Sequence, residues 1–148
     1  MVTHKENQKD PSKKEINLIL ELFNSSKFEE TEKKINAEII NYPNSSILYN
    51  ILGAVLFSQN KFDQSIKYYK KSIKNEPKYA QAYNNLGIVL QKQNKISEAI
   101  NYYKKAITLK SDFFEAINNL GNALSELGKL NEALKHFEKA IKIKSDYA

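Results

Sequence analysis

Two near-identical heptapeptides contain the residues of this sequence that most resemble a chemical motif. They read KYYKKSI at 67–73 and NYYKKAI at 101–107, and they lie 34 residues apart. Paired aromatic rings can stack on bases and paired lysines can contact phosphates, which favours nucleic-acid binding. However, all 23 basic residues are lysine, and arginine is the residue that binds phosphates and base edges in a bidentate manner. The alternative is that one piece of scaffold is used twice.

The rest of the sequence offers little for catalysis. The two histidines are His4, in a polar N-terminal segment, and His136. The sequence contains no cysteine. No cluster of histidines and carboxylates has metal-ligand spacing, and the phosphate-binding pattern GxxxxGK[ST] is absent. The sequence therefore predicts no enzyme active site, no metal and no cofactor.

Composition indicates a soluble helical protein. The chain of 148 residues is 41% hydrophobic and 27% charged, with a net charge of +6 and with 4 Gly and 3 Pro. No apolar signal segment opens it, and no stretch approaches the roughly 18 apolar residues of a membrane span. We therefore expect a cytoplasmic protein.

A period of 34 residues organises the chain. Residues 80–113 and 114–147 align without a gap and are identical at 15 of 34 positions. Stepping back by the same interval gives units 46–79 and 12–45. The earliest unit is degenerate, since Ile19 stands where the other units have glycine. The predicted organisation is a polar disordered tail over 1–11 and a repeat array over 12–148.

Each unit has the pattern of two amphipathic helices. In the third unit we predict helices over about 80–93 and about 96–109, with small residues, Gly87 and Ala99, where the two helices cross most closely. Ser12 and Glu15 have the spacing of a capping box that begins the first helix.

This pattern resembles the tetratricopeptide repeat over nearly the whole chain. The matching positions are Tyr49, Leu52, Gly53, Leu56, Ser65, Tyr69 and Ser72; Tyr83, Leu86, Gly87, Leu90, Ala99, Tyr103 and Ala106; and Ile117, Leu120, Gly121, Leu124, Ala133, Phe137 and Ala140. The resemblance implies an all-α right-handed superhelix of stacked antiparallel helix pairs, with the first helices lining a concave groove. It also implies a protein-binding scaffold.

When the repeat units are aligned, scaffold repetition explains the two heptapeptides. Tyr69, Tyr103 and Phe137 occupy one core position, and the paired lysines point to water on the convex side. A basic convex surface for RNA or anionic lipid remains a minor alternative.

The resemblance also implies which residues face the groove. Those expected to bind peptide are Asn50, Phe57, Gln81, Asn84, Asn85, Gln91, Asn118, Asn119 and Asn122. The row of amides is similar to the asparagine ladder in the repeats of O-linked N-acetylglucosamine transferase, which implies hydrogen bonding to the main chain of an extended peptide. The alternative is that these amides are merely solvated.

Two features describe the expected ligand further. Some family members hold a peptide's terminal carboxylate with basic groove residues, but the matching positions here contain no Lys or Arg: Ile47, Asn50, Gln81, Asn84, Asn85, Glu115 and Asn118. Toward the second unit the groove is expected to be apolar, with Ile47, Ile51, Ala54 and Phe57. We therefore expect a ligand with an apolar anchor and main-chain hydrogen bonds.

The C-terminal segment 144–148 matches the linker that joins the third unit to the fourth. A repeat array exposes an apolar face at its end, here Leu134, Phe137 and Ile141. Truncation from a longer protein, self-association through this face and tolerated exposure are the three explanations. Because the sequence also resembles the N-terminal arrays of bacterial multidomain transferases, recruitment of substrate to a glycosyltransferase or sulfotransferase is an alternative function.

Overall fold

The computed structural model describes residues 8–147, which contain eight α-helices and no strand. The helices are α1 Lys13–Asn24, α2 Phe28–Asn41, α3 Ser46–Ser58, α4 Phe62–Asn75, α5 Ala80–Lys92, α6 Ile96–Leu109, α7 Phe114–Glu126 and α8 Leu130–Asp146. The all-α, paired-helix class predicted from the 34-residue period is confirmed.

The chain divides into two compact units, one ending at Pro77 and the other beginning at Lys78. In the first unit α1 packs on α2, α2 on α3, and α3 on α4. In the second unit α5 packs on α6, α6 on α7, and α7 on α8, while α5 and α7 also touch. Within each unit, consecutive helices are therefore neighbours, as short connections require.

The short turn between the two helices of each pair contains one residue with a left-handed backbone conformation. It is Ser26, Asn60, Asn94 or Gly128, with φ of 58°, 59°, 63° and 74°. The next residue donates its N–H back to the first helix, for example Lys61 N to Leu56 O at 2.9 Å. This is the Schellman ending of a helix, which satisfies carbonyls that the last turn leaves free. The same ending recurs every 34 residues, at the period of the sequence repeat.

In the second, third and fourth helix pairs, an aromatic ring of the second helix lies against a glycine of the first. A Cβ at Gly53 would lie 2.7 Å from the ring of Tyr69, and one at Gly87 would lie 2.6 Å from the ring of Tyr103. Gly121 has the same relation to Phe137. Glycine is therefore required at this position because a ring of the second helix occupies the space of a side chain. The nearest atoms to an added Cβ belong to the ring and not to a backbone.

The degenerate first pair solves the same packing problem with different residues. Ile19 replaces the glycine and Ile35 replaces the ring, and both side chains are fully buried in one cluster. Here each helix contributes one branched side chain, whereas in the other pairs a single aromatic ring fills the space. The total side-chain volume between the helices is therefore similar.

Both ends of the described chain add detail to the predicted boundaries. The capping box is confirmed, since Glu15 N donates to Ser12 Oγ at 3.3 Å and Ser12 N donates to Glu15 Oε2 at 2.8 Å. Residues 1–7 of the predicted tail lie outside the described range. Lys9 pairs with Glu76 at 2.9 Å, Asp10 accepts a hydrogen bond from Ser45, and Pro11 is buried.

The predicted linker over 144–148 is wrong for the residues that the structure describes. Lys144, Ser145 and Asp146 continue α8, whereas the matching residues after α6 leave the helix at Lys110. Ser145 Oγ donates to Lys142 O at 2.9 Å and Tyr147 Oη donates to Asp112 Oδ2 at 2.9 Å, and these bonds stabilise the longer helix.

Candidate functional site

The candidate surface of the second unit is the polar side of α5 and α7, where most of the predicted groove residues lie. It contains Gln81, Asn84, Asn85 and Gln91 on α5 and Asn118, Asn119 and Asn122 on α7. Asn50 and Phe57 belong to α3 of the first unit.

Two of the predicted ligand-binding amides bind each other. Asn119 Nδ2 donates to Asn84 Oδ1 at 3.0 Å, which joins α7 to α5. Asn84 is only 3% exposed, and Asn119 is half-buried. A buried amide needs such a partner because an unsatisfied polar group costs about 1–3 kcal/mol. Asn84 is thus positioned as part of the framework.

Gln91 forms a second link between the same two helices. Its Nε2 donates to Glu126 Oε1, and its Oε1 accepts a hydrogen bond from Tyr103 Oη at 2.7 Å. The side chain therefore connects α5 to both α6 and α7. Glu126 and Tyr103 were not among the residues predicted to bind peptide. The 34-residue repeat aligns Gln91 with Ser125 rather than with Glu126, so the sequence did not indicate this link.

The accessible amides lie beside these links. Asn118 and Asn122 are exposed and lie one turn apart on α7, where the α-helical repeat places them on one face. On α5, Gln81 Nε2 donates to Asn85 Oδ1 at 3.0 Å, and Gln81 is exposed. The second unit therefore presents a polar surface whose amide donors and acceptors can reach an added ligand.

The predicted surface of the first unit is mostly apolar. Asn50 is buried, and Phe57 is half-buried with its ring centroid 5.6 Å from that of Phe62 on α4. Ile47 and Ala54 are half-buried on the same helix, whereas Ile51 is buried. Phe57, Ile47 and Ala54 are therefore the accessible apolar groups.

The tyrosines of the two heptapeptides are structural, as predicted. Tyr69 and Tyr103 are buried, and burial raises the pKa of each well above its ordinary value. Tyr68 stacks on Tyr49 with a centroid distance of 6.1 Å, so its ring is engaged within the first unit. Lys71 lies over Tyr49 at 4.3 Å, while Lys70, Lys104 and Lys105 are exposed.

The one histidine within residues 8–147 is His136, which is half-buried on α8. Burial lowers the pKa of His136, with further lowering from the charges of Lys139 and Lys104 against the opposing effect of Glu132. No group of three His, Asp or Glu residues within 8–147 could hold a metal ion. His4 lies outside that range. No helix in the same range is long and apolar enough to cross a membrane.

The helix pairs, their glycine–aromatic packing and their 34-residue spacing define a tetratricopeptide protein. Two models of the tetratricopeptide repeat family match residues 44–112 and 114–147. The chain therefore belongs to the tetratricopeptide repeat family. A search of curated protein sequences gave no significant match.

Solved structures with the same fold support this assignment. A crystal structure of MamA is 25% identical, has a TM-score of 0.80, and the match covers 90% of this chain and 78% of that one. The second tetratricopeptide domain of Spaghetti (RPAP3), bound to the HSP90 peptide SRMEEVD, is 28% identical with a TM-score of 0.65, covering 67% of this chain and 92% of that one. For the fold alone, MamA 41-end from Desulfovibrio magneticus RS-1 is 19% identical with a TM-score of 0.78, covering 97% and 79%. Family and fold together support a protein-interaction scaffold.

Proposed function

We propose that this protein is a scaffold that binds an extended peptide on the polar side of α5 and α7. The observation that carries the proposal is the pair of exposed amides, Asn118 and Asn122, one turn apart on α7. Each offers a donor and an acceptor, so each can bond a peptide N–H and C=O at once.

The framework beneath these amides favours binding. The hydrogen bond from Asn119 to Asn84 holds α7 beside α5, and Gln91 repeats that link through Glu126. Because the two helices are fixed before the ligand arrives, little ordering cost opposes binding. Main-chain bonding would make recognition tolerant of peptide sequence.

The expected ligand is not an acidic C-terminal peptide. The RPAP3 domain was solved with SRMEEVD, whose sequence contains several carboxylates. Here the corresponding groove positions include Gln81, Glu115 and Asn118 and no basic residue. A carboxylate bound beside Glu115 would be repelled. We therefore propose a neutral ligand segment for this surface.

Apolar recognition is proposed for the first unit separately. Ile47, Ala54 and Phe57 lie on α3 with part of each side chain accessible. Phe57 is held by Phe62, so its ring is already ordered and loses little side-chain entropy on binding. An aliphatic or aromatic side chain is the group that this surface would accept.

The test is selection of peptides by display against the full chain, followed by fluorescence polarisation with the selected peptide. Asn118→Ala with Asn122→Ala should weaken binding about 30-fold, since each amide is expected to contribute roughly 1 kcal/mol. Asn101→Ala is the matched control, because Asn101 is also exposed but lies on α6. Equal affinity for wild type and the double variant, or selection of SRMEEVD-like acidic peptides, would contradict the proposal.

A further inference from the structure

Four exposed lysines follow one another along one side of α4. They recur at intervals of one helical turn, which places them on the same face of the helix: Lys67, Lys70, Lys71 and Lys74. At a rise of about 1.5 Å per residue, they span roughly 10 Å of helix length. We call these four residues the α4 lysine row. A single exposed lysine is ordinary, but a row of this charge density attracts an anion.

The charge of the α4 lysine row is not neutralised by the described residues. Elsewhere in the first unit lysines pair with glutamates, as Lys34 does with Glu38 at 2.6 Å and Lys61 with Glu32 at 3.8 Å. Within residues 8–147, no lysine of the row has such an ion pair. Helix α3, which packs on α4, contains no Asp or Glu, and α4 itself has only Asp63, in its first turn before the row begins. The row therefore offers its positive charge to an external ligand.

Folding alone does not account for the row. Positive charges three and four residues apart on a helix repel one another and destabilise it. A lysine near the carboxyl end of a helix is favoured by the helix dipole, which explains Lys74 in the last turn. Lys67 lies near the middle of α4, where that effect has decayed. A bound anion would relieve the repulsion that remains.

Two stacked tyrosines hold part of the row in place. Tyr49 and Tyr68 stack with their ring centroids 6.1 Å apart and an interplanar angle of 11°. Lys71 Nζ lies 4.3 Å from the ring centroid of Tyr49, and Lys67 Nζ lies 5.9 Å from that of Tyr68. Attraction to the ring face orders each ammonium group without neutralising its charge. The third repeat unit has Asn101 at the position equivalent to Lys67, so this pair of ordered lysines is particular to α4.

The spacing and chemistry of the row favour the phosphates of a nucleic-acid backbone. One strand of a duplex carries a phosphate about every 3.4 Å along the axis, so roughly 10 Å of strand presents four phosphates to the four lysines. Lysine binds phosphate as a compact point charge. The chain has no arginine to recognise base edges in a bidentate manner. Contact with the backbone alone would therefore be independent of base sequence.

Other anionic partners fit the row less well. Single strands bind by stacking their bases on free aromatic rings, whereas Tyr68 is stacked on Tyr49, and Tyr69 is buried. Helices that bind membrane surfaces insert apolar side chains beside their basic ones, and no large apolar residue of α3 or α4 is exposed. An acidic protein would gain only exposed ion pairs, which contribute little, whereas a duplex also releases condensed counterions.

We propose that the α4 lysine row binds the phosphate backbone of double-stranded nucleic acid without regard to base sequence. The affinity comes from the counterions that leave the duplex when lysines replace them, so it falls steeply as salt is added. The row shares no residue with Asn118 and Asn122, so this proposal is independent of peptide binding.

Fluorescence anisotropy of the full chain with a labelled DNA duplex tests the proposal at salt concentrations from about 50 to about 200 mM. Lys67→Gln with Lys71→Gln should weaken binding at least about 10-fold at the lowest salt, and should reduce the slope of log affinity against log salt by about 2. Two duplexes of unrelated sequence should bind equally. The matched control is Lys14→Gln with Lys33→Gln, which removes the same net charge from exposed lysines of α1 and α2 and should leave the slope unchanged.

A second pair of variants separates binding from folding. Lys70→Gln with Lys74→Gln should reduce the slope by the same amount as the first pair, and circular dichroism should show unchanged helix content in every variant because the replaced side chains are exposed. Vesicles of phosphatidylserine and phosphatidylcholine test a membrane as the alternative partner. No duplex binding at the lowest salt, equal losses in the lysine-row and control variants, tighter binding of a single strand than of its duplex, or vesicle binding that depends on the row while duplex binding does not would each overturn the proposal.

Discussion

Asn119 donates a hydrogen bond to Asn84 at 3.0 Å, across 35 residues of sequence. The sequence repeat is 34 residues, and it places Asn85, not Asn84, at the position equivalent to Asn119. Gln91 and Glu126 are also 35 residues apart and also bonded. Neighbouring first helices in the second unit therefore contact one another with an offset of one residue from the repeat, and that offset determines which amides remain available.

Replacing Asn119 should affect stability, whereas replacing its neighbour Asn118 should not. Asn119→Ala leaves the buried amide of Asn84 without this partner, which we expect to cost about 1–2 kcal/mol and lower Tm by roughly 3–6 °C. Asn118→Ala removes an exposed amide and should shift Tm by less than about 1 °C. Thermal unfolding followed by circular dichroism measures both. Equal Tm values for the two variants would show that the hydrogen bond contributes nothing.

Gly87 should tolerate no side chain while Tyr103 is present. Alanine normally stabilises a helix relative to glycine by about 1 kcal/mol. Here its Cβ would lie 2.6 Å from the ring of Tyr103, and overpacking should reverse the sign and destabilise by about 1–3 kcal/mol. Urea unfolding of Gly87→Ala measures the change.

The first helix pair supplies the compensating change. Because Ile19 and Ile35 fill the same positions there, Gly87→Ile combined with Tyr103→Ile should be more stable than Gly87→Ile alone. We expect a favourable coupling of at least about 1 kcal/mol in the double-mutant cycle. If the free-energy changes of the two single variants are strictly additive, then residues 87 and 103 do not compete for the same volume.

Asp10 should contribute to stability although it precedes the first helix. It accepts a hydrogen bond from Ser45, a fully buried residue that also caps α3. Asp10→Ala should therefore cost about 1–2 kcal/mol, because a charged acceptor is lost from a buried hydroxyl. Lys9→Ala removes an exposed ion pair with Glu76 and a long hydrogen bond of 3.4 Å to Asn75 O, and should cost less than about 1 kcal/mol. Urea midpoints compare the two variants, and equal losses would argue against a specific role for Asp10.

The fold was predictable because each helix pair repeats the same local signals. Residues that favour turns, Ser26, Asn60, Asn94 and Gly128, follow the first helices, and the apolar positions recur at helical spacing in every unit. The extension of α8 was not predictable from the repeat, since the same Lys-Ser-Asp sequence leaves the helix after α6. That difference depends on tertiary contacts such as the bond between Tyr147 and Asp112.

The sequence indicates which helices carry the candidate site residues, but not which of their side chains are accessible to a ligand. The family geometry places Asn84 and Gln91 on one first helix and Asn119 on the next, and in the structure their side chains bind one another or Glu126. Pairing of this kind depends on the lateral offset between helices. A repeat alignment contains no information on that offset, so sequence alone could not separate framework amides from free ones.

The buried tyrosines should make the protein sensitive to alkaline pH. Burial raises the pKa of Tyr69 and of Tyr103, and the charge of Glu126 raises that of Tyr103 further. An unfolded tyrosine ionises near pH 10. The folded state therefore keeps protons that the unfolded state loses, so the free energy of unfolding is unaffected below about pH 10 and falls as pH rises above it.

Tyr69→Phe with Tyr103→Phe, which copies the natural Phe137, should remove part of this decline. Urea unfolding of both proteins between pH 8 and pH 11.5 measures the difference, and lysine titration is common to the two. Parallel curves for wild type and variant would show that these tyrosines ionise as readily in the folded protein as in the unfolded chain.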